Sequence, residues 1–382
     1  MKFHQSHLAY CTNIHPAETW AETLAMLDRH VLTVRDRLRA AGALGTDEPF
    51  AIGLRLSAVA ARELLEGDHL VRFKEWLEAT NTYVFTINGF PYGSFHGTRV
   101  KEQVFKPDWA DQARVDYTKD LFRILAAIAR PGTGASVSTL PGSHKTFHAD
   151  EAPIRRNLIE LATWLEELAE LTGHDFHLGL EPEPLGHFEN TAETLEFFER
   201  LHAEASDSEI LRRRIGVNFD TCHFALEYEN IRASLDVLVN SGIRISKIHL
   251  SSALAFDPRD PSAVAAIRAF DEPTYFHQVL VLGDAETITR FVDLPDFLNA
   301  GEVPGAVEAR VHFHIPLDSE PSPPLRSTRR DVEAVLAWRR ENPDACQHYE
   351  IETYTWGVLP DGLQRPVEEQ IAGEYAWVLA KA

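Results

Sequence analysis

Short runs rich in β-branched and aromatic residues alternate with longer segments of helical period along almost the whole chain, and this alternation restricts the fold more than any other feature. Nine runs read as strands: 7–13, 50–57, 82–89, 135–142, 176–184, 215–220, 245–252, 309–317 and 348–356. Between them, 155–171 carries Leu158, Leu161, Leu165, Leu168 and Leu171 at spacings of three and four, an apolar helical stripe, and Gly173 follows as a stop. Asn190 with Glu193 three residues on is a helix-start signal, and 107–130 and 328–342 show the same period. Such alternation predicts a parallel sheet, and 382 residues suit an α/β fold of the (β/α)8 TIM barrel type with insertions. Eight strands close such a barrel, so one run is surplus. The run 309–317, inside the long stretch 253–347, is the one expected to lie outside. The predicted organisation is one domain over 1–382 with an inserted region around 253–325.

Charge narrows the partners. With 37 Lys and Arg against 58 Asp and Glu, the net charge of −21 repels phosphate backbones and anionic lipid, so no nucleic acid is expected as a partner. The start, "MKFHQSHLAYCTN", has no apolar leader, and no run approaches the roughly 18 apolar residues of a membrane span. A cytoplasmic protein without direct membrane insertion is the expectation. Cys11, Cys222 and Cys346 are odd in number and far apart, which indicates neither a disulfide framework nor a thiolate zinc site.

In a (β/α)8 barrel, functional groups gather at the C-terminal ends of the strands. Those ends carry Glu181 and Glu183 in "LEPEP", Asp220 and His223 in "FDTCH", His249 in "KIHLSS", and Glu350 and Glu352 in "YEIETYTW". Taken singly each has a plain explanation: Glu181 could pair with Arg55, and His249 could be a core histidine bonded to backbone. Their recurrence at the same end of four strands points instead to a shared partner, since charged groups are seldom buried alone. Glu181, Asp220, His249 and Glu350 are the candidate ligands of a divalent metal ion. Oxygen and imidazole donors without thiolate are compatible with Mn, Zn, Fe, Co or Mg. Glu183 and Glu352 stand two residues beyond their partners as candidates behind the ligands.

His223, about one helical turn past Asp220, could be a ligand or touch substrate. His277 in "YFHQ", His312 and His314 in "HFHIP", and His15 could extend the centre to more than one ion or contact substrate, and for His312 a structural role fits equally well. The long loop 88–109, "NGFPYGSFHGTRVKEQVFKPDW", has the length and aromatic content of a lid, and its His96, Arg99 and Lys101 offer local positive charge.

The order of these residues resembles the xylose isomerase-like barrel superfamily, which includes sugar isomerases, ketose epimerases and phosphodiesterases of the endonuclease IV type. In its epimerase branch a Glu, an Asp, a His and a second Glu at successive strand ends hold one divalent metal; Glu181, Asp220, His249 and Glu350 match that order, and His223 matches the histidine of an Asp-x-x-His pair. Across nearly the whole chain, "HLAYCTNIHPAETW", "LEPEP", "FDTCH", "HLSSA", "YFHQ", "HFHIP" and "ETYTWGVLP" are similar to the metabolite traffic protein EboE family. The resemblance implies a metal-dependent isomerase or epimerase of a sugar- or cyclitol-like metabolite in an export-linked pathway. Glu181 and Glu350 would then exchange a proton on the two substrate faces, with His223, His277, His314, His96 and Arg99 contacting substrate. Two alternatives stay open: a metal-dependent phosphoesterase acting on a small phosphorylated metabolite, and a non-catalytic metabolite-binding protein.

Overall fold

Eight of the nine runs form one closed parallel barrel. In the computed structural model, which describes residues 1–96, 101–360 and 364–382, the first seven barrel strands are β1 (Ser6–Tyr10), β2 (Phe50–Arg55), β3 (Thr82–Asn88), β4 (Ala135–Thr139), β5 (Phe176–Leu180), β6 (Ile215–Asp220) and β7 (Arg244–Leu250), with the two residues Lys2–Phe3 pairing antiparallel on β1. Five short strands then leave the pattern: β8 (Leu254–Phe256), β9 (Val279–Gly283), β10 (Ile288–Phe291), β11 (Ala306–Val311) and β12 (Arg326–Ser327). The chain returns as β13 (His348–Ile351), which pairs in parallel with both β7 and β1. The order runs β1-β13-β7-β6-β5-β4-β3-β2, and a parallel bridge between Cys11 and Gly53 closes the ring.

Strand alternation divides the two faces. On β6, Ile215, Val217 and Phe219 point outward into the apolar layer under the helices, while Gly216, Asn218 and Asp220 point inward. Each large apolar side chain buried in that layer contributes roughly 1.5–3 kcal/mol. The helices start and stop where side-chain chemistry allows. Asn190 accepts the Glu193 N–H at 3.0 Å, and the helix Glu151–Thr172 ends on Gly173 at φ 75°, a left-handed position where a side chain is strained. Among the described residues no helix is long and apolar enough to cross a membrane.

The barrel interior carries many polar groups, several of which engage one another. At the N-terminal end, His7 meets Tyr83 at 2.7 Å, His177 meets Ser246 at 2.5 Å, and His348 meets Ser136 at 2.8 Å. One layer higher, Lys247 and Glu350 form an ion pair, and the strand ends above it open into the mouth.

β8 to β12 form a second, antiparallel sheet in the order β10-β9-β11-β8-β12, packed on its own apolar core of Leu254, Phe256, Val279, Val311 and Phe313. The strand expected over 309–317 belongs here and stops at Val311; past it, Phe313 and Ile315 still turn into this core, so His312 and His314 face the other way. The two ends of the insertion meet. Thr328 N–H donates to Ala253 O at 2.9 Å, and Ala253 N–H donates to Thr328 Oγ1 at 2.8 Å.

Candidate metal centre

Asp220 ends β6 and also caps the helix Thr221–Leu226. Its Oδ1 accepts the His223 N–H at 3.1 Å and the Ser251 hydroxyl at 2.7 Å, and this turn carries the His223 ring back over the strand ends. Glu181 directly follows β5, His249 is the penultimate residue of β7, and Glu352 lies just past β13. His249 Nδ1 sits 3.2 Å from Asp220 Oδ2, 3.3 Å from Glu181 Oε1 and 3.2 Å from Glu352 Oε2. All four residues are buried, and one donor atom from each lies within 4.8 Å of the others.

Three carboxylates around one imidazole away from water are costly unless positive charge offsets them, from a protonated ring or from a bound cation. Burial alone would lower the basicity of His249, yet Glu352, Glu181 and the hydrogen bond to Asp220 outweigh it and hold the ring well above the usual range. Burial likewise opposes ionisation of Asp220, but His223, His314 and His249 pull it well below the usual range. The donor set of three carboxylate oxygens and one imidazole nitrogen fits a divalent ion.

A second group adjoins the first. His223 Nδ1 donates to Pro182 O at 3.0 Å, His312 Nδ1 to Gln278 Oε1 at 2.7 Å, and His314 Nδ1 to Glu352 O at 2.9 Å. Gln278 is oriented by its own amide, which donates to Pro184 O at 3.1 Å. Each acceptor fixes the ring hydrogen on Nδ1 and leaves a lone pair on Nε2. The Nε2 atoms of His223 and His312 face each other at 3.1 Å, and that of His314 is buried without a hydrogen-bond partner. Converging lone pairs repel unless a cation lies between them, so this set also fits a metal ion. Glu183 joins it through His223 and His312, and Asp220 through His223 and His314. Cys222 is adjacent, but burial and the charge of Asp220 push its thiol well up and keep it protonated.

Several residues lie elsewhere than the sequence suggested. Glu350, expected as a ligand and as one of the proton-transfer pair, lies one interior layer deeper, where Lys247 and His249 Nε2 engage it; Glu352 takes the expected place in the four-residue group. Both glutamates face inward as alternation requires, and only their depth differs. His277, expected to contact substrate, has both ring nitrogens engaged, by His312 O at 2.9 Å and Glu272 at 2.8 Å, with its ring stacked on Phe313. His96 bridges Asn13 O and the Tyr275 hydroxyl at 2.6 and 3.0 Å, which ties the loop to the insertion. Arg99 lies outside the described residues. Arg55 pairs with Glu18 rather than Glu181, and His15 is stacked on His30.

Above the ligands lies a cavity of about 70 Å³. Its floor is Glu181, Glu183, His223, His312 and Glu352; its walls include Phe90, Phe95 and Phe105 from the loop after β3, Tyr275 and Phe276 from the insertion, and Tyr354. The cation among its described lining residues, Lys101, is paired with Asp293. Asn13 and Asn88, which the sequence reading passed over, hold Glu352 Oε1 at 2.9 and 3.2 Å. Lys247 was also missed, although a lysine two residues before His249 inside an apolar strand was a visible signal.

These features define a (β/α)8 barrel with a buried carboxylate and imidazole centre at its C-terminal mouth. No protein-family model matches the chain, and no curated protein matches it. Solved structures are similar in fold. An IolI protein with a bound zinc atom is 13% identical with a TM-score of 0.46, covering 98% of this chain and 95% of its own. The probable 3-DHS dehydratase AsbF of Bacillus anthracis is 11% identical over 97% of both chains, with a TM-score of 0.48. A xylose isomerase domain protein of Planctomyces limnophilus is 15% identical, covering 87% of this chain and 88% of its own, with a TM-score of 0.47.

Proposed function

We propose that the chain is a cytoplasmic metal-dependent isomerase or epimerase of a small, neutral, sugar- or cyclitol-like metabolite, one handled in an export-linked pathway as the resemblance to the EboE family implies. The observation that carries this is the convergence of Glu181, Asp220, His249 and Glu352 on one point beneath a cavity walled by aromatic rings. Glu181, Asp220, His249 and Glu352 would hold a divalent ion, which would supply Lewis acidity toward adjacent substrate oxygens. Glu181 and Glu183 both line the cavity and take the place of the expected Glu181 and Glu350 pair. Burial and the nearby Glu181 and Asp220 raise Glu183 well above the usual range, so Glu183 donates its own proton to carbon while Glu181 keeps the one it removes, and solvent restores both carboxyls between turnovers. Asn13 and Asn88 hold Glu352 in place, and the aromatic walls present apolar faces to the C–H side of a polyol while excluding water. Incorporation of solvent deuterium at a substrate carbon, abolished in Glu181→Gln, is the expected result; turnover without any exchange argues against proton abstraction.

One observation favours a second reading. The converging Nε2 atoms of His223, His312 and His314, of which that of His314 has no hydrogen-bond partner, offer a second ion site beside the first, and paired ions suit hydrolysis of a small phosphoester. The engagement of Lys101 by Asp293 and the aromatic walls weigh against a phosphate ligand. Two tightly held ions, with phosphate released from a small ester, would reverse the order of the two readings.

A further inference from the structure

Beneath the proposed metal centre lies an ion pair that this chemistry does not use. Lys247 Nζ is 2.5 Å from Glu350 Oε2 and 2.8 Å from Ser138 Oγ, and both charged side chains are wholly buried. Apolar side chains of similar volume are often as stable or more so in such a place, so stability alone does not account for the pair. Glu350 Oε2 also lies 3.0 Å from His249 Nε2, on the opposite side of the ring from the Nδ1 that faces Asp220, Glu181 and Glu352. Its Oε1 points toward Gly53, where a Cβ would have no room. The carboxylate is therefore turned away from the mouth and held against the back of His249.

A neutral imidazole carries one ring hydrogen. With an acceptor-only carboxylate at Nε2, that hydrogen belongs there, and Nδ1 presents its lone pair to the ligand cluster. Lys247 has only donors, so it anchors Glu350 without competing for that hydrogen. We infer that Glu350 and Lys247 are positioning residues for the ion: Lys247 fixes Glu350, and Glu350 fixes the tautomer and the ring plane of His249. The inference rests on the metal-centre reading above. It assigns Glu350 a place behind a ligand and gives Lys247 a role.

Either single substitution strands a buried charge, so the test compares two charge-balanced pairs. Lys247→Met with Glu350→Gln keeps an acceptor for the His249 ring hydrogen, whereas Lys247→Met with Glu350→Met removes it. Zn²⁺ affinity is measured by chelator competition in a background carrying both His312→Ala and His314→Ala, which breaks every histidine set of the second group and leaves the four-residue group to be counted. The Met/Gln protein should bind Zn²⁺ as the Lys247/Glu350 parent does, and the Met/Met protein about 10- to 100-fold more weakly. Equal affinities in both pairs, or a Met/Gln protein as weak as Met/Met, overturn the inference while leaving the metal centre standing. A parent that binds no Zn²⁺ overturns both. Nitrogen-15 spectra of the zinc-loaded native protein give a readout free of any variant: the hydrogen of His249 should reside on Nε2, and metal ligation through Nε2 would overturn the assignment.

Discussion

His249 and Asp220 show how little a residue's own type says about its task. Each is wholly buried, and each is displaced from its ordinary protonation range in the direction its neighbours dictate. Asp220→Ala and His249→Ala should each lose the ion of the four-residue group while keeping far-ultraviolet dichroism close to wild type; full metal content by elemental analysis would remove them from the ligand set. Glu374 presents the opposite case. Burial drives it up from an ordinary 4.5 to about 7 against hydrogen bonds from Thr353 and Gln370. Because the folded value is raised, the carboxyl costs nothing below about pH 4.5, and its destabilisation grows until it is complete above about pH 7. Glu374→Gln should thus leave stability unchanged in acid and raise it by about 3 kcal/mol at pH 8. Gln370 Oε1 has no partner, so an amide flip there can receive the new N–H group. Denaturant melts at both pH values give the answer, and an equal effect at both would remove the charge argument.

At the scale of elements, the insertion and the barrel share the work of ligation. β5, β6, β7 and β13 deliver Glu181, Asp220, His249 and Glu352, while the insertion supplies His312, His314 and the Gln278 that orients His312. Arg310 donates to Ala225 O in the helix that carries His223, and Arg290 pairs with Glu227. An ion among the three imidazoles would therefore join the two elements. Stripping the metal should accelerate amide hydrogen exchange across 254–327 more than in the barrel strands, and His314→Ala should reproduce the effect in metal-loaded protein. Uniform acceleration throughout the chain would show that the ion does not link them.

Across the whole molecule, the barrel was legible because its strands obey a simple period. The insertion was less so: β10, whose residues are half-buried or exposed, and the two-residue β12 lack the apolar run that marks a buried strand. The ligand set was legible in kind but not in depth. Glu350 and Glu352 share a face by alternation, and what separates them is the layer each reaches inside a tilted, closed sheet, which no local pattern records. Asn13 and Asn88 escaped notice because a lone amide at a strand end resembles a turn residue. Their relation to Glu352 exists only once strands far apart in sequence close the ring.

The hydrogen-bonded meeting of Ala253 and Thr328 makes the second sheet excisable. A loop whose two stems already touch can be cut at its base and rejoined without stretching the remainder, as a side branch is pruned from a trunk. A shortened chain joining Ala253 to Thr328 through a brief glycine linker would retain every barrel strand and the four-residue group, and would lose His312, His314 and the Tyr275 and Phe276 walls. It should fold to the helix and strand content of the bare barrel, bind one ion, and expose its mouth to bulk water. If the pruned protein folds yet binds none, the centre is a joint construction of trunk and branch, and the addition cannot be separated from the site it overhangs.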